Sequence, residues 1–414
     1  MGAGAIMDAK VYRNSSKRAG QFLGIDVPLL LVTISLLAFG LLMVYSASWD
    51  FSWWIYDSPT YIFSRQLIWL TLGIAALIFG TWMDYHYLRR LAVPAILVTV
   101  IALIAVLIID DDRFGAVRTV SGGSYMPSEL AKIVTIIYLS IWLYSKRNHI
   151  RDVYIGLLPL AGIIGLLSGL ILLQPDLSAA ATLVFIGGIL FFLAGGDLRQ
   201  IAVLLVIAVI VGWVVVQINP TGNDRIGEYQ AGIEDPTQAS YHVRRSLEAF
   251  IKGGFLGVGI GRAETKYTGL PVAPTDSIFA VVGEETGLLG AGGLVILYGL
   301  FLWRGMTIAM RARDLLGSLM AAGITLWIAM EALINMAVMV GLLPFAGNAL
   351  PFISSGGSNL LVTMAGVGIL MNIARTSNEE VREVERSVDA AHGLRRGHRR
   401  RRVSRAGSTA GARR

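Results

Sequence analysis

The 414-residue chain contains no cysteine. That absence excludes disulfides, thiolate metal sites and cysteine nucleophiles. Histidines number only five and do not cluster. Charge is scarce as well: Asp, Glu, Lys and Arg together make 15% of the residues, against about 25% in an ordinary soluble domain. Apolar sequence takes their place, at 55% of the chain. It is gathered into blocks of roughly 17–22 residues, the length that crosses a bilayer as a helix. The composition therefore predicts an all-α integral membrane protein. The formal net charge of +7 comes mostly from the C-terminal tail, with Arg-Arg-Gly-His-Arg-Arg-Arg-Arg at 395–402. On a membrane protein this pattern reflects topology and attraction to anionic lipid, or a cytoplasmic protein partner, rather than nucleic-acid binding.

Ten apolar blocks are expected to span: 27–47, 66–83, 91–109, 128–145, 154–174, 177–195, 201–217, 277–303, 318–343 and 358–374. Residues 1–26 read as a basic cytoplasmic leader. Ser46-Ala47-Ser48 looks like a signal-peptidase site, but the apolar run before it is too long for a signal peptide, so the first block is expected to remain a span. Trp49, Trp53 and Trp54 follow it as an interfacial belt. With the N-terminus cytoplasmic, 25 of the 35 Lys and Arg fall on the inner side, as the positive-inside rule asks. Both termini are then cytoplasmic, around a membrane domain at 27–374 and a disordered tail at 375–414. The outer side carries a loop at 110–127, a reversal at 175–176, a large loop at 218–276 between the seventh and eighth spans, and a loop at 344–357.

The outer loops hold cations that topology does not ask for: Arg113, Arg118, Arg225, Arg244, Arg245, Lys252, Arg262 and Lys266. With Gly253, Gly254, Gly257, Gly259 and Gly261 among them, they suggest an anion-binding surface. The segment 241–251 has the periodicity of a short interfacial helix. Four polar clusters also face outward. In the first, Glu129 and Lys132 share a helix face by the i,i+3 rule; either they form an internal ion pair, or the lysine reaches a phosphate. In the second, Gln174 and Asp176 sit at a hairpin, where Asp176 is a helix N-cap or a site residue. In the third, Asp276 stands at the lip of an apolar helix with Glu284 and Glu285 about two turns on; it is an N-cap or a chemical group. In the fourth, backbone amides and hydroxyls of Ser354, Ser355, Gly356, Gly357 and Ser358 form a potential anion cradle. Acidic groups entering apolar segments are expensive, which points to chemistry on a lipid-linked substrate at the membrane surface.

These clusters resemble the SEDS family, the FtsW/RodA/SpoVE group of cell-wall polymerases. The matching runs are PSELAK at 127–132, QPDL at 174–177, the Gly-rich loop ending in Leu270-Pro271, TDSIFAVVGEETG at 275–287 and LPFISSGGSNL at 350–360. They stand in the family's order over roughly residues 20–376. The stretches GNALPFISSGGSNLL and LMNIAR are more FtsW-like than RodA-like. The resemblance implies a peptidoglycan glycosyltransferase using lipid II and an undecaprenyl-pyrophosphate-linked glycan strand, in the bacterial cytoplasmic membrane. It implies an essential aspartate at Asp276, and as partners a class B penicillin-binding protein and other divisome or elongasome proteins. Arg118, Lys132, Arg244, Arg245 and Lys266 are expected to meet the pyrophosphate, oriented by Glu129 and Asp176, with Glu285 supporting Asp276. No protein-held metal is expected; a divalent cation such as Mg²⁺ that enters on substrate phosphate leaves no motif. The sequence departs from the family pattern at Pro274, where histidine is usual, at Ser277, Ser178 and Thr119, and at Glu331. The rival readings are a lipid-precursor flippase or transporter, and a non-catalytic scaffold for a transpeptidase.

Overall fold

The structure, a computed structural model, describes residues 24–109, 126–174, 176–218 and 220–378. The remainder of the leader, Arg113, Arg118, Pro175 and the tail from 379 onward lie outside the described residues. Among those described the fold is all-helical. In chain order the helices are α1 (Val27–Tyr56), α2 (Tyr61–Trp82), α3 (Leu88–Ile109), α4 (Pro127–Ser145), α5 (Leu158–Leu172) and α6 (Leu177–Leu193). There follow α7 (Leu198–Ile218), α8 (Pro220–Glu234), α9 (Tyr241–Gly253), α10 (Ile278–Met310), α11 (Leu315–Met339) and α12 (Gly357–Asn378). Eight are long and apolar enough to cross a membrane: α1, α2, α3 with the turn from Tyr85, α5 with the turn from Val153, α7, α10, α11 and α12. The two other predicted blocks are also helices. One is α4, which carries Glu129 and Lys132, and the other is the 17-residue α6.

The bundle is built around α11 and α12. Within their most apolar windows 72% and 83% of residues are buried, against 11% in α2 and α7, which puts the last two helices at the centre and those two at the rim. Small residues let the backbones close. A Cβ on Gly80 of α2 would touch the main chain of Gly368 in α12, and one on Gly366 would press on Ile324 of α11. At the end of the bundle where α1 begins, Asp26 caps α1 by accepting from Leu29 N at 3.1 Å. It also receives Arg304 of α10 through two hydrogen bonds of 2.8 and 2.7 Å.

The eighth block is not one straight helix. Gly287 has φ 66° and ψ −167°, which divides α10 into a short first segment and a long shaft. From the α10–α11 junction the shaft to Gly287 rises about 35 Å, and α11 up to Asn335 about 30 Å. A straight α10 would lift Asp276 roughly 15 Å further, yet Asn335 Nδ2 meets Asp276 O at 2.9 Å. The break therefore folds the first segment back over the end of the bundle.

The large loop docks into that break. Val258 N and Gly259 N donate to Glu284 O and Glu285 O at 3.0 Å each, while Leu288 N and Leu289 N donate to Gly254 O and Phe255 O at 3.0 and 3.2 Å. A Cβ on Gly257 would collide with Glu285 O, one on Gly253 with Gly283 O, and Gly257 itself sits at φ +80°. Gly253 and Gly257 thus serve close backbone approach. The short helix expected over 241–251 is α9. It buries Val243, Ser246, Ala249 and Gly253, and Ser246 Oγ lies 3.3 Å from Met339 Sδ of α11. The polar α8 was not foreseen; Tyr229 OH ties it to Leu342 O at 2.8 Å.

Candidate active site

Asp276 is half-buried at the entry to α10. The turn before it is tightly wound: Thr275 N and Ser277 N both donate to Val272 O, at 3.0 and 3.5 Å. Val272 adopts φ 49°, a region that β-branched residues rarely enter. The Asp276 main chain is then fixed by its neighbours, Asn335 on one side and the 350–357 loop on the other. Ser354 Oγ donates to Thr275 O at 2.6 Å, and Ser355 N donates to Pro274 O at 2.8 Å.

Three helix starts meet here. The start of α12 joins that of α4 through Ser358 Oγ, which accepts from Met126 N at 3.2 Å, and Asn359 Nδ2, which donates to Glu129 Oε2 at 2.9 Å. The Ser354 and Ser355 contacts join the approach to α12 to the approach to α10. Each start presents N–H groups with no intrahelical acceptor and the positive end of a helix dipole. Of the predicted cradle, Ser355, Gly356 and Gly357 are half-buried at this junction. Ser354 instead uses its hydroxyl to hold Thr275 O, and Gly357 makes room for Trp69.

Below this junction Lys132 is buried between two carboxylates. Its Nζ donates to Glu129 Oε1 at 2.7 Å and to Glu331 Oε1. The internal-ion-pair reading of the PSELAK run is the one the geometry matches, enlarged to a triad that clips α4 to α11. Glu331, a departure from the family pattern, is bonded within the bundle. An isolated charge at that depth would cost about 2.5–3.5 kcal/mol on an insertion scale, so the lysine partner explains how it is accommodated.

Glu284 and Glu285 have separate tasks. Glu284 accepts from Glu264 N at 2.9 Å, from Thr265 N at 3.2 Å and from Thr265 Oγ1; it caps the large loop. Glu285 accepts from Lys266 Nζ at 2.8 Å and from Ser46 Oγ at 2.6 Å. Lys266 also donates to Ser46 O at 3.1 Å. This buried knot ties α1, the loop and the α10 break together. It borders a cleft of about 390 Å³ lined by Leu42, Tyr45, Trp49, Ile260 and Tyr267.

The remaining expected residues have hydrogen-bond partners of their own. Gln174 Nε2 donates to Leu103 O of α3 at 2.9 Å. Asp176 caps α6, accepting from Ala179 N at 3.2 Å, so its N-cap reading is the one observed. Arg244 donates to Thr237 O at 3.2 Å. Arg245 pairs with Glu248 and donates to Thr268 O at 2.6 Å. Next to Arg244, His242 stacks on Phe345 at 4.0 Å; burial and then the nearby Arg225 push its imidazole down to about 4. The sequence reading gave no site role to Asn335 or Asn348, and took Ser46 only as part of a signal-peptidase-like triplet. The available signal was a lone amide, Asn335, inside an apolar block, because a buried amide must find partners.

A family model described as "Cell cycle protein", covering FtsW, RodA and SpoVE, matches residues 27–379. The probable peptidoglycan glycosyltransferase FtsW of Trichlorobacter lovleyi is 38% identical over 354 residues, 84% of this chain and 93% of that protein. Stage V sporulation protein E of Bacillus subtilis is 34% identical over 357 residues, covering 85% and 97%. Among solved structures, a peptidoglycan synthase complex studied for its coordination of polymerization and crosslinking aligns with a TM-score of 0.70 at 26% identity, over 86% of this chain and 99% of the matched chain. The chain therefore belongs to the FtsW/RodA/SpoVE family of cell cycle proteins, with FtsW-named relatives prominent among its matches.

Proposed function

We propose that this chain is a peptidoglycan glycosyltransferase that polymerises lipid II at the outer face of the bacterial cytoplasmic membrane, with Asp276 as general base. The observation that carries the reading is a half-buried carboxylate on a main chain fixed from both sides, at the meeting point of three helix starts. In the reaction, the sugar 4-hydroxyl of lipid II attacks the anomeric carbon of the growing strand. Asp276 takes the hydroxyl proton, the new C–O bond forms, and the bond to undecaprenyl pyrophosphate breaks. A base within hydrogen-bond reach contributes about 10²–10⁴-fold. An α-linked donor giving a β-linked product requires inversion, which one displacement with one base achieves. The leaving group departs as an anion, so it needs positive potential rather than a proton. The starts of α4, α10 and α12 supply it, with Arg118 and the loop cations as further candidates. A divalent cation such as Mg²⁺ would enter on substrate phosphate, a mode of binding that needs few protein ligands.

The topology we infer has ten spans, counting α4 and α6 with the eight longer helices, and both termini in the cytoplasm. The charge asymmetry of the loops supports it, and it places the 218–276 loop and Asp276 outside. A class B penicillin-binding protein is the proposed crosslinking partner, in line with the synthase complex whose chain this one matches. The buried Glu129–Lys132–Glu331 triad is the one observation that favours transport, because ionisable groups inside spans also mark relays. Purified protein mixed with lipid II, with and without the transpeptidase, decides between them. The expected products are glycan polymer and released undecaprenyl pyrophosphate. No polymer in either mixture, with lipid II crossing the vesicle wall, would favour transport instead.

A further inference from the structure

Asn335 is fully buried in α11, one turn beyond Glu331. Its Nδ2 donates to two main-chain carbonyls at once, Asp276 O at 2.9 Å and Asn348 O at 2.7 Å. That fixes the amide's orientation, since the flipped form would set Oδ1 against two carbonyl oxygens. Ser354 Oγ and Ser355 N hold Thr275 O and Pro274 O from the opposite side. Three consecutive carbonyls ahead of α10 are thus gripped from outside their own segment. The break at Gly287 separates this segment from the long shaft of α10, so its position comes from these hydrogen bonds and its packing rather than from the continuation of a helix. Positive φ at Val272 fits the same picture, because sparsely populated backbone persists where the surroundings over-determine it.

We propose that Asn335 is a positioning residue for the glycosyl transfer. It acts through the Asp276 main chain to set the direction of the carboxylate, with Ser354 as the opposing hold. The inference rests on Asp276 being the base. A misplacement of about 1 Å at a reacting group costs on the order of 10²-fold.

The test uses the full-length protein with its transpeptidase and lipid II. Asn335→Leu keeps the side-chain size and removes both donors; Ser354→Ala removes the opposing one. The expected result for Asn335→Leu is a kcat lower by about 10–100-fold, with KM within about twofold. Ser354→Ala should lose several-fold in kcat in the same pattern. Amide hydrogen exchange across 272–277 should accelerate in Asn335→Leu. Should that variant not fold, Asn335→Ala, which also lacks both donors, carries the test together with Ser354→Ala. Unchanged kcat in the folded variants, or a raised KM with kcat intact, overturns the proposal. Asp276→Asn runs alongside: if it polymerises like wild type, the base assignment fails. If it is inactive while Asn335→Leu behaves as wild type, only the positioning role fails.

Discussion

At the residue scale, Lys132 shows how burial decides between two roles. Its ammonium is almost wholly out of contact with solvent and bonded to two carboxylates. Removing it leaves Glu129 and Glu331 as uncompensated neighbours. Breaking a buried pair in this way costs about 3–5 kcal/mol, so Lys132→Met should lower the melting temperature in detergent markedly. An unchanged melting curve with a raised KM for lipid II would instead make it a phosphate ligand. His242 offers a pH test. Its folded-state value lies at about 4, below the ordinary histidine value of about 6.5. The unfolded chain therefore binds the proton first. The stability tied to neutral His242 is present above about pH 6.5 and is lost as pH falls towards 4. His242→Phe, which retains a ring to stack on Phe345, should show a smaller acid-induced loss of melting temperature across that window. Equal losses in both proteins would contradict the assignment. In the sequence, Glu129, Lys132 and Asp276 stood out because each is a charge at the edge of an apolar block. Asn335 did not, since an amide's partners are main-chain carbonyls 59 and 13 residues away, and no local pattern encodes those.

At the element scale, the informative feature is the broken α10. The apolar run from 277 onward was legible as a span because hydrophobic length is a local property. Its break was not legible. Gly287 is one glycine among 47, and its left-handed φ is demanded by a loop that arrives from 30 residues upstream. The same loop explains Gly253 and Gly257, whose need for close approach looks in sequence like an anion loop. The account predicts a contrast between two glycine substitutions. Gly257→Ala places a methyl group against Glu285 O at positive φ, whereas Gly292→Ala on the shaft of α10 meets open space. The first should reduce both thermal stability and polymerisation. The second should leave stability within about 0.5 kcal/mol of wild type or slightly improve it, as a helix-interior Gly→Ala does. Comparable behaviour of the two variants in a detergent melt would sink the docking argument.

At the scale of the whole molecule, every block expected from hydrophobic length is a helix, and the two most buried helices, α11 and α12, lie at the C-terminal end of the membrane domain. Hydrophobicity alone could not rank them, because lipid and protein core select the same residues. What distinguishes them is their glycines and polar side chains, which meet partners from α2, α4 and the approach to α10. The site is thus hung on the most enclosed part of the bundle, while the rim helices face lipid. That arrangement suits a polymerase whose carboxylate must be held still while a lipid-linked substrate enters from the side. The most direct measurement is turnover on saturating lipid II by wild type and Asp276→Asn, each purified with the proposed transpeptidase partner and checked for equal melting temperature. The account predicts a loss of about 10²–10⁴-fold with the fold intact. Polymer formed at the wild-type rate by the folded Asp276→Asn variant would contradict it.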